Sequence, residues 1–332
     1  RLGTKNRNIG VSRRMYRDFG IPARIAKPKT REELEALIDK WNGKKSCYTS
    51  VYAFDDDKGY ESAYINTIWF DFDHKRDIDK CLKDVRKFYK RYCKPNNITP
   101  RIYLTGGKGF QMNIDFHSLL DLPPSIKRRS LKEYLLYLKK KYSLSTLDER
   151  CINNSVSCMR RIPNTQYVSN LTGESIGIWC TQFSVEDIMQ LSIEELYAIA
   201  EAGPNPTIDI ERSKRAQRDM LAFVCDLYSV PHTVSNSADY LYRELYKVAE
   251  KETSKYPTEG NFTLDLDKLE NVVERTGKVI ARCPACAAKG RDSQGNHLVI
   301  FDNGAFSCII GDANHRKEIY QLARKPLNTS RN

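Results

Sequence analysis

Between Ile65 and Asp73 apolar and polar positions alternate. Ile68, Phe70 and Phe72 fall on one side, Trp69, Asp71 and Asp73 on the other, the period of a strand with two distinct faces. From Ile78 to Tyr92 the apolar residues Ile78, Leu82, Val85, Phe88 and Tyr92 follow helical spacing, and most residues between them are charged, which predicts an amphipathic helix after the strand. Arg101–Thr105 and Phe110–Phe116 predict two more strands around the glycine-rich turn Thr105-Gly106-Gly107-Lys108-Gly109. Ser130 with Glu133 has the spacing of a capping box ahead of a helix over Leu131–Tyr142. Beyond Cys180 the pattern turns helical: Ser184, Ser192 and Ser237 read as N-caps, and Gly203-Pro204-Asn205-Pro206 interrupts the run.

These patterns predict a mixed-sheet α/β (α+β) core over residues 1–180, a helical accessory domain over 181–265, which thins out near Tyr256-Pro257, a small cysteine-bearing domain over 266–324 and a tail over 325–332. A length of 332 residues suits two or three domains. Composition sharpens the class: 40% hydrophobic and 29% charged residues describe a globular chain, and no apolar run reaches the length of a membrane span or a signal peptide core. Membrane and secretory readings are therefore set aside, and a cytoplasmic setting, in a prokaryotic host or with a virus, is expected. The first residue, Arg1 rather than Met, reads as a trimmed or processed chain. Lys and Arg number 54 against 42 Asp and Glu, a formal charge of +12, and such an excess favours a polyanionic partner through counterion release.

The strand-end pair Asp71 and Asp73 carries the first candidate chemistry. Carboxylates at i and i+2 project from one face and repel unless a cation lies between them, and divalent ions held this way activate an attacking hydroxyl and neutralise a phosphate leaving group. In the neighbouring turn, glycines permit close approach of backbone to phosphate and Lys108 adds a positive charge, while Gln111, Asn113 and Asp115 share a face of the next strand. The spacing is not that of a nucleotide-triphosphatase loop, and no helix follows. A third carboxylate, Asp148, precedes Arg160-Arg161-Ile162-Pro163-Asn164-Thr165, and arginine is suited to clamping phosphate. Arg160 is either a second phosphate clamp beside Arg161 or a surface residue, His74 reads as a solvated loop residue, and Asp115, on the Gln111 face, is the lesser alternative to Asp148.

In their order along the chain, Asp71 and Asp73, then Gly107-Lys108-Gly109-Phe110-Gln111, then Asp148 and Arg161-Ile162-Pro163-Asn164-Thr165 resemble the archaeo-eukaryotic primase superfamily, especially the primase-polymerases of plasmids, viruses and mobile elements. The resemblance covers roughly Ile65 to Gly173. It implies that Asp71, Asp73 and Asp148 hold two Mg²⁺ or Mn²⁺ ions and that Lys108, Gln111 and Arg161 contact the triphosphate of an incoming NTP or dNTP. It also implies nucleotidyl transfer on a single-stranded DNA template, with a replicative helicase as a further partner. One departure is Gln111, where the family usually has His: glutamine can donate a hydrogen bond but cannot carry a proton charge. That leaves open a non-catalytic replication or nucleic-acid-binding protein with an eroded primase fold, or a repair polymerase that extends primers without starting them.

Of ten cysteines, only Cys283, Cys286 and Cys308 stand in designed spacing. Cys283-Pro284-Ala285-Cys286 forms a knuckle, Leu298–Phe301 and Ala305–Cys308 flank an Asp302-Asn303-Gly304 turn, and Val299 is expected opposite Cys308. One structural Zn²⁺ is predicted on the three thiolates with His315 as the preferred fourth ligand and His297 as the alternative. The segment resembles zinc ribbons of phage and plasmid replication proteins. For single-stranded nucleic acid, the candidate surface combines Arg212, Lys214, Arg215, Arg218 and Arg243 with Tyr240, Tyr242 and Tyr246. The basic stretch Lys75–Lys94 reads as a solvated helix face.

Overall fold

The computed structural model describes residues 15–55, 59–169, 172–233, 236–255, 264–275, 278–301, 306–309 and 313–324. The expected Asp302-Asn303-Gly304 turn, the thinning near Tyr256-Pro257 and the tail lie outside these residues. The chain divides into two units, Arg1–Ala249 and Glu250–Asn332. No described helix is long and apolar enough to cross a membrane.

The first unit opens with short strands β1 (Met15–Tyr16), β2 (Phe19–Gly20) and β3 (Arg24–Ala26), helix α1 (Arg31–Trp41), β4 (Tyr48–Ser50) and β5 (Ala53–Asp55). Then come the long strand β6 (Gly59–Asp73), α2 (Ile78–Phe88), β7 (Arg101–Leu104), β8 (Gly109–Leu120), α3 (Pro124–Tyr142) and α4 (Glu149–Asn153). Strands β9 (Met159–Arg161), β10 (Gln166–Val168), β11 (Ser175–Trp179) and β12 (Thr181–Phe183) precede helices α5 (Val185–Gln190), α6 (Ile193–Ala202), α7 (Lys214–Leu227) and α8 (Ala238–Lys255). Two sheets matter for function: a six-stranded one in the order β1-β5-β6-β8-β7-β12 and a four-stranded one in the order β3-β2-β4-β9.

Alternation in β6 does what its pattern predicts. Ile68, Phe70 and Phe72, with Phe110, Met112 and Ile114 of β8, are almost fully buried. They join the core that also takes Cys81, Leu82, Val85 and Phe88 of α2. The Phe70 and Phe88 rings meet at 4.9 Å between centroids. The face thus left to Asp71 and Asp73 is rigidly backed by packed aromatics, whose burial contributes about 1.5–3 kcal/mol per side chain.

Three expectations change. Helix α3 begins at Pro124, a residue suited to the first helical turn, and Ser130 lies inside it with its hydroxyl donating to the Ile126 carbonyl at 2.8 Å, so it caps nothing. Ser184 and Ser192 do form capping boxes, with Asp187 and Glu195. Second, a boundary at residue 180 would cut the main sheet, because β12 pairs with β7 through Thr181–Leu104, Gln182–Tyr103 and Phe183–Ile102. Ile188, Leu196, Met220, Leu221 and Leu245 from the following helices belong to the same apolar core as Ile68. Residues 181–249 thus complete the first unit. Third, the tyrosines of the proposed nucleic-acid face divide: Tyr240 and Tyr242 pack against the core, Tyr242 receiving a hydrogen bond from Gln217, whereas Tyr246 stays exposed and donates to Asp121. Arg212, Lys214, Arg215 and Arg218 remain exposed. Arg86, in the basic helix, is consumed by the Ile188 and Leu191 carbonyls at the end of α5.

The second unit is an antiparallel meander, β13 (Val273–Arg275), β14 (Lys278–Ala281), β15 (Leu298–Phe301) and β16 (Phe306–Cys308), with short α9 (Pro284–Ala287) and α10 (Ala313–Ala323). Leu298, not Val299, stands opposite Cys308, so the register differs by one residue from the sequence expectation. That places buried Leu298, Ile300, Phe306 and Cys308 on the inner side.

Candidate active site and candidate metal centre

Strand register assembles the first site. Asp71 pairs with Gln111, Gln111 with Tyr103 and Tyr103 with Gln182, so these side chains form one row on one face. Trp69, Asn113 and Arg101 form the next row. Asp73 stands opposite Gly109, where a Cβ would lie 2.0 Å from the Phe72 carbonyl oxygen. Only glycine lets β8 come this close to β6, which is why the turn residue there has no side chain. The turn itself is tied by Thr105, whose N–H and hydroxyl both reach the Gly109 carbonyl, and covered by Tyr167, which a Cβ on Gly107 would meet at 2.9 Å.

Asp148 reaches this strand end through a short extra edge on β6. The Asp148 N–H donates to the Asp71 carbonyl at 2.9 Å and the Asp73 N–H to the Thr146 carbonyl at 2.8 Å. Asp84 of α2 anchors that edge. Its buried carboxylate accepts from the Thr146 N–H and hydroxyl and from Ser145, and pairs with Lys87 at 2.6 Å. Burial opposes the charge on Asp84, but Lys87 and Thr146 hold its carboxyl below the ordinary value. Nothing in the spacing of α2 distinguishes Asp84 from its solvated neighbours, so the sequence analysis missed it.

One Asp148 oxygen caps α4 through the Arg150 N–H; the other faces Cys151, whose thiol also reaches Asp71. Donor atoms of Asp71, Asp148 and Cys151 lie within 4.8 Å of one another. Cys151 was invisible to sequence reasoning as one of seven scattered cysteines. Asp73 is outside that cluster and instead pairs with Lys108 at 3.2 Å. Burial pushes the Asp71 carboxyl up to about 7; the Cys151 hydrogen bond opposes this, repulsion from Asp73 and Asp148 adds to it, and a Gln111 hydrogen bond opposes it again. A cation among these carboxylates would reverse the shift, so the donor set fits a divalent metal.

The remaining expected contacts divide. Gln111 is buried beside Asp71, whereas Asp115 is ion-paired with Arg101 at 2.9 Å in a row beyond Asn113 and does not substitute for Asp148. Arg161 is 3% exposed, stacked on Tyr48 and Tyr167, and donates to the Gln166 carbonyl at 2.8 Å, while its Nε and Nη1 have no partner. Tyr167 thus links Arg161 to the Lys108 turn. Arg160 is not a free surface residue. It pairs with Thr49 across β4 and β9, and its charge bears on Tyr103 of the six-stranded sheet and on Arg17. Burial, and after it Arg160, lowers Arg17 to about 10. Arg160 Nε, Thr49 Oγ1, Trp69 Nε1 and Asn113 Oδ1 are all buried without partners. The His74 ring accepts locally, at Nδ1 from the Arg76 N–H, while its backbone N–H donates to the Lys108 carbonyl at 3.4 Å.

The second site is local. Cys283 precedes α9, Cys286 lies in it, Cys308 ends β16 and His315 sits in the first turn of α10. Their donor atoms cluster within 4.8 Å: Cys283 Sγ and Cys286 Sγ are 3.4 and 3.2 Å from His315 Nε2, and Cys286 Sγ is 3.5 Å from Cys308 Sγ. Metal bonds of about 2.0–2.3 Å imply donor–donor edges of roughly 3.3–3.8 Å around a tetrahedral ion, so the set fits zinc. Glu318, paired with Lys289 at 2.6 Å, stands 3.6 Å from His315 Nδ1. His297 lies outside the cluster, beside Asp292 at 3.8 Å. Asp292, buried and unforeseen, accepts the N–H groups of Cys283, Asn296 and His297 and so shapes the knuckle loop.

No family model and no curated protein matches this chain. Among solved structures, it is similar to the AEP domain of the cyanophage S-2L primase-polymerase at a TM-score of 0.33 and 15% sequence identity, over 57% of this chain and 89% of that one.

Proposed function

We propose that the first unit is a nucleotidyltransferase, a primase or primase-polymerase that joins NTPs or dNTPs on a single-stranded DNA template. The observation that carries this reading is the convergence of Asp71 and Asp148, from distant parts of the chain, on one strand end beside the Lys108 turn. Divalent ions bound there would supply charge neutralisation at the phosphoryl group and activation of the attacking hydroxyl. Asp71 and Asp148 supply the carboxylates for these ions, and Asp73 stands by in its ion pair with Lys108. Lys108, exposed at the turn, meets the phosphates, and Arg161, with two guanidinium nitrogens unpartnered, backs it through Tyr167. Unprimed and primed synthesis on single-stranded DNA, with labelled NTPs or dNTPs and Mg²⁺ or Mn²⁺, tests the proposal; activity that survives Asp71→Asn or Asp148→Asn would reject it.

A second reading draws support from Gln111, which is engaged with Asp71 where a free phosphate contact was expected. On that reading the unit binds template without joining nucleotides. Template binding without synthesis under every metal and nucleotide condition selects it. On either reading the Cys283, Cys286, Cys308 and His315 cluster would hold one structural zinc.

A further inference from the structure

The thiol among the carboxylates has no place in the triple-aspartate arrangement expected from the sequence. Cys151 lies one helical turn beyond the Asp148 cap, so both residues face Asp71. Its Sγ is 3.4 Å from Asp71 Oδ2 and 3.6 Å from Asp148 Oδ2. Those separations match the edges of roughly 3.3–3.8 Å between oxygen and sulfur donors around a four-coordinate ion. One row back along β6 and β8, on the same sheet face, two further buried polar atoms are unmet. Trp69, two residues before Asp71 on the same sheet face, and its pairing partner Asn113 are 5% and 2% exposed, yet Trp69 Nε1 and Asn113 Oδ1 have no partner. Buried polar groups left so are normally met by water, an ion or a bound molecule.

We propose that Cys151 is a protein ligand of the strand-end metal site together with Asp71 and Asp148, and that its sulfur shifts the site away from Mg²⁺ toward ions that accept thiolate, Zn²⁺ and Co²⁺ foremost and Mn²⁺ less strongly. The inference rests on reading Asp71 and Asp148 as metal ligands. Hard, strongly hydrated Mg²⁺ gains little from sulfur, whereas a thiolate raises affinity for borderline ions. With Asp73 held by Lys108, the thiol occupies the third position that a carboxylate would otherwise fill. Both carboxylates lie within hydrogen-bond reach of the same thiol, whose single proton serves one of them at a time. Cys151→Ser keeps that donor and removes only the sulfur.

The test uses the full chain with its cysteine cluster already filled by zinc, so that added Co²⁺ reports on the strand end. The parent should develop a near-ultraviolet thiolate-to-cobalt charge-transfer band that is absent from Cys151→Ser and retained in Cys158→Ser, the neighbouring thiol, which donates to the Cys151 carbonyl at 3.1 Å. Co²⁺ affinity should fall at least about tenfold in Cys151→Ser, with Mg²⁺ affinity in the same range as the parent. A band that persists in Cys151→Ser, or equal loss of Co²⁺ and Mg²⁺ affinity, overturns the proposal. The band is read without nucleotide or template. A chain that shows it but never joins nucleotides therefore keeps the thiolate ligand and loses the transferase reading, and a chain that polymerises without it does the reverse.

Discussion

The two donor clusters are built on opposite plans. In the second unit all four candidate ligands lie between Cys283 and His315, on a knuckle, a strand end and a helix start, around a described core of eleven buried residues, three of which are the cysteines themselves. In the first, Asp71 and Asp148 are brought together by a sheet, by α2 and by a core that runs from Tyr16 to Ala249. A cluster with local donors and little apolar support needs its metal in order to fold. A cluster hung on an already packed sheet needs its metal only for chemistry. Removing metal should therefore unfold one region and merely silence the other.

The largest effect is expected from the cysteine cluster. Structural zinc contributes about 10 kcal/mol or more to folding in small metal-bound domains, so chelation or Cys283→Ser should unfold Glu250–Asn332 and leave the first unit intact. Limited proteolysis with near-ultraviolet circular dichroism reads both regions at once, and metal analysis should give one zinc per chain, lost in His315→Ala and kept in His297→Ala. Primer extension should persist in Cys283→Ser. Loss of the first unit's signal with the zinc would break the comparison.

Next comes Asp71→Asn, which should cut nucleotide transfer by at least about a hundredfold while making the protein more stable in buffer free of added Mg²⁺ and Mn²⁺. The sign follows from a folded carboxyl titrating near 7, above its ordinary range. Between about pH 4 and 7 the folded chain keeps a proton that the unfolded chain has lost, so stability falls as pH rises through that window. At about 1.4 kcal/mol per pH unit the gain from Asp71→Asn is bounded near 4 kcal/mol above pH 7 and vanishes toward pH 4. Urea unfolding of parent and variant across that range checks it.

What the sequence made legible follows the same division. The clustering of Cys283, Cys286, Cys308 and His315 was readable because knuckle spacing is local; even the choice of His315 came from its distance beyond Cys308. The strand carrying Asp71 and Asp73 was readable from its alternation, and the glycine turn from its composition. Asp84, Cys151 and Arg160 were not, because their roles come from tertiary placement: a helix acid under a loop, a cysteine one turn past a cap, an arginine whose charge bears on a second sheet. The misplaced domain boundary has the same origin, since nothing local in Thr181–Phe183 says that these residues form the edge of a sheet begun far earlier.

Asp84 gives the comparison a sharper edge. Asp84→Ala removes the acceptor of the Thr146 N–H and hydroxyl, each bond to a charged group being worth about 1.5–3 kcal/mol. The variant should lose stability of that order and, because the Thr146–Asp148 edge loosens, lose metal affinity as well. Asp84→Asn should restore part of the first loss and less of the second, since a neutral amide oxygen still accepts but no longer pairs with Lys87. Calorimetric titration with Mn²⁺ beside thermal unfolding separates the two. Equal loss in both measurements for both variants would mean that Asp84 supports the fold without positioning Asp148.

The smallest structural effect is expected at Lys108, and it isolates chemistry from folding most cleanly. Its ion pair with Asp73 is more than half exposed on the lysine side, and pairs of that kind contribute about 0–1 kcal/mol. Lys108→Ala should therefore leave the unfolding midpoint almost unchanged. Freed of its lysine, Asp73 gains negative potential beside Asp71, so divalent-ion binding should hold or tighten while apparent affinity for the nucleotide triphosphate weakens. Steady-state kinetics at saturating metal, with nucleotide as the varied substrate, reads this as a raised KM with kcat less affected. A fall in metal affinity instead would show that Lys108 organises the carboxylates and does not face the phosphates.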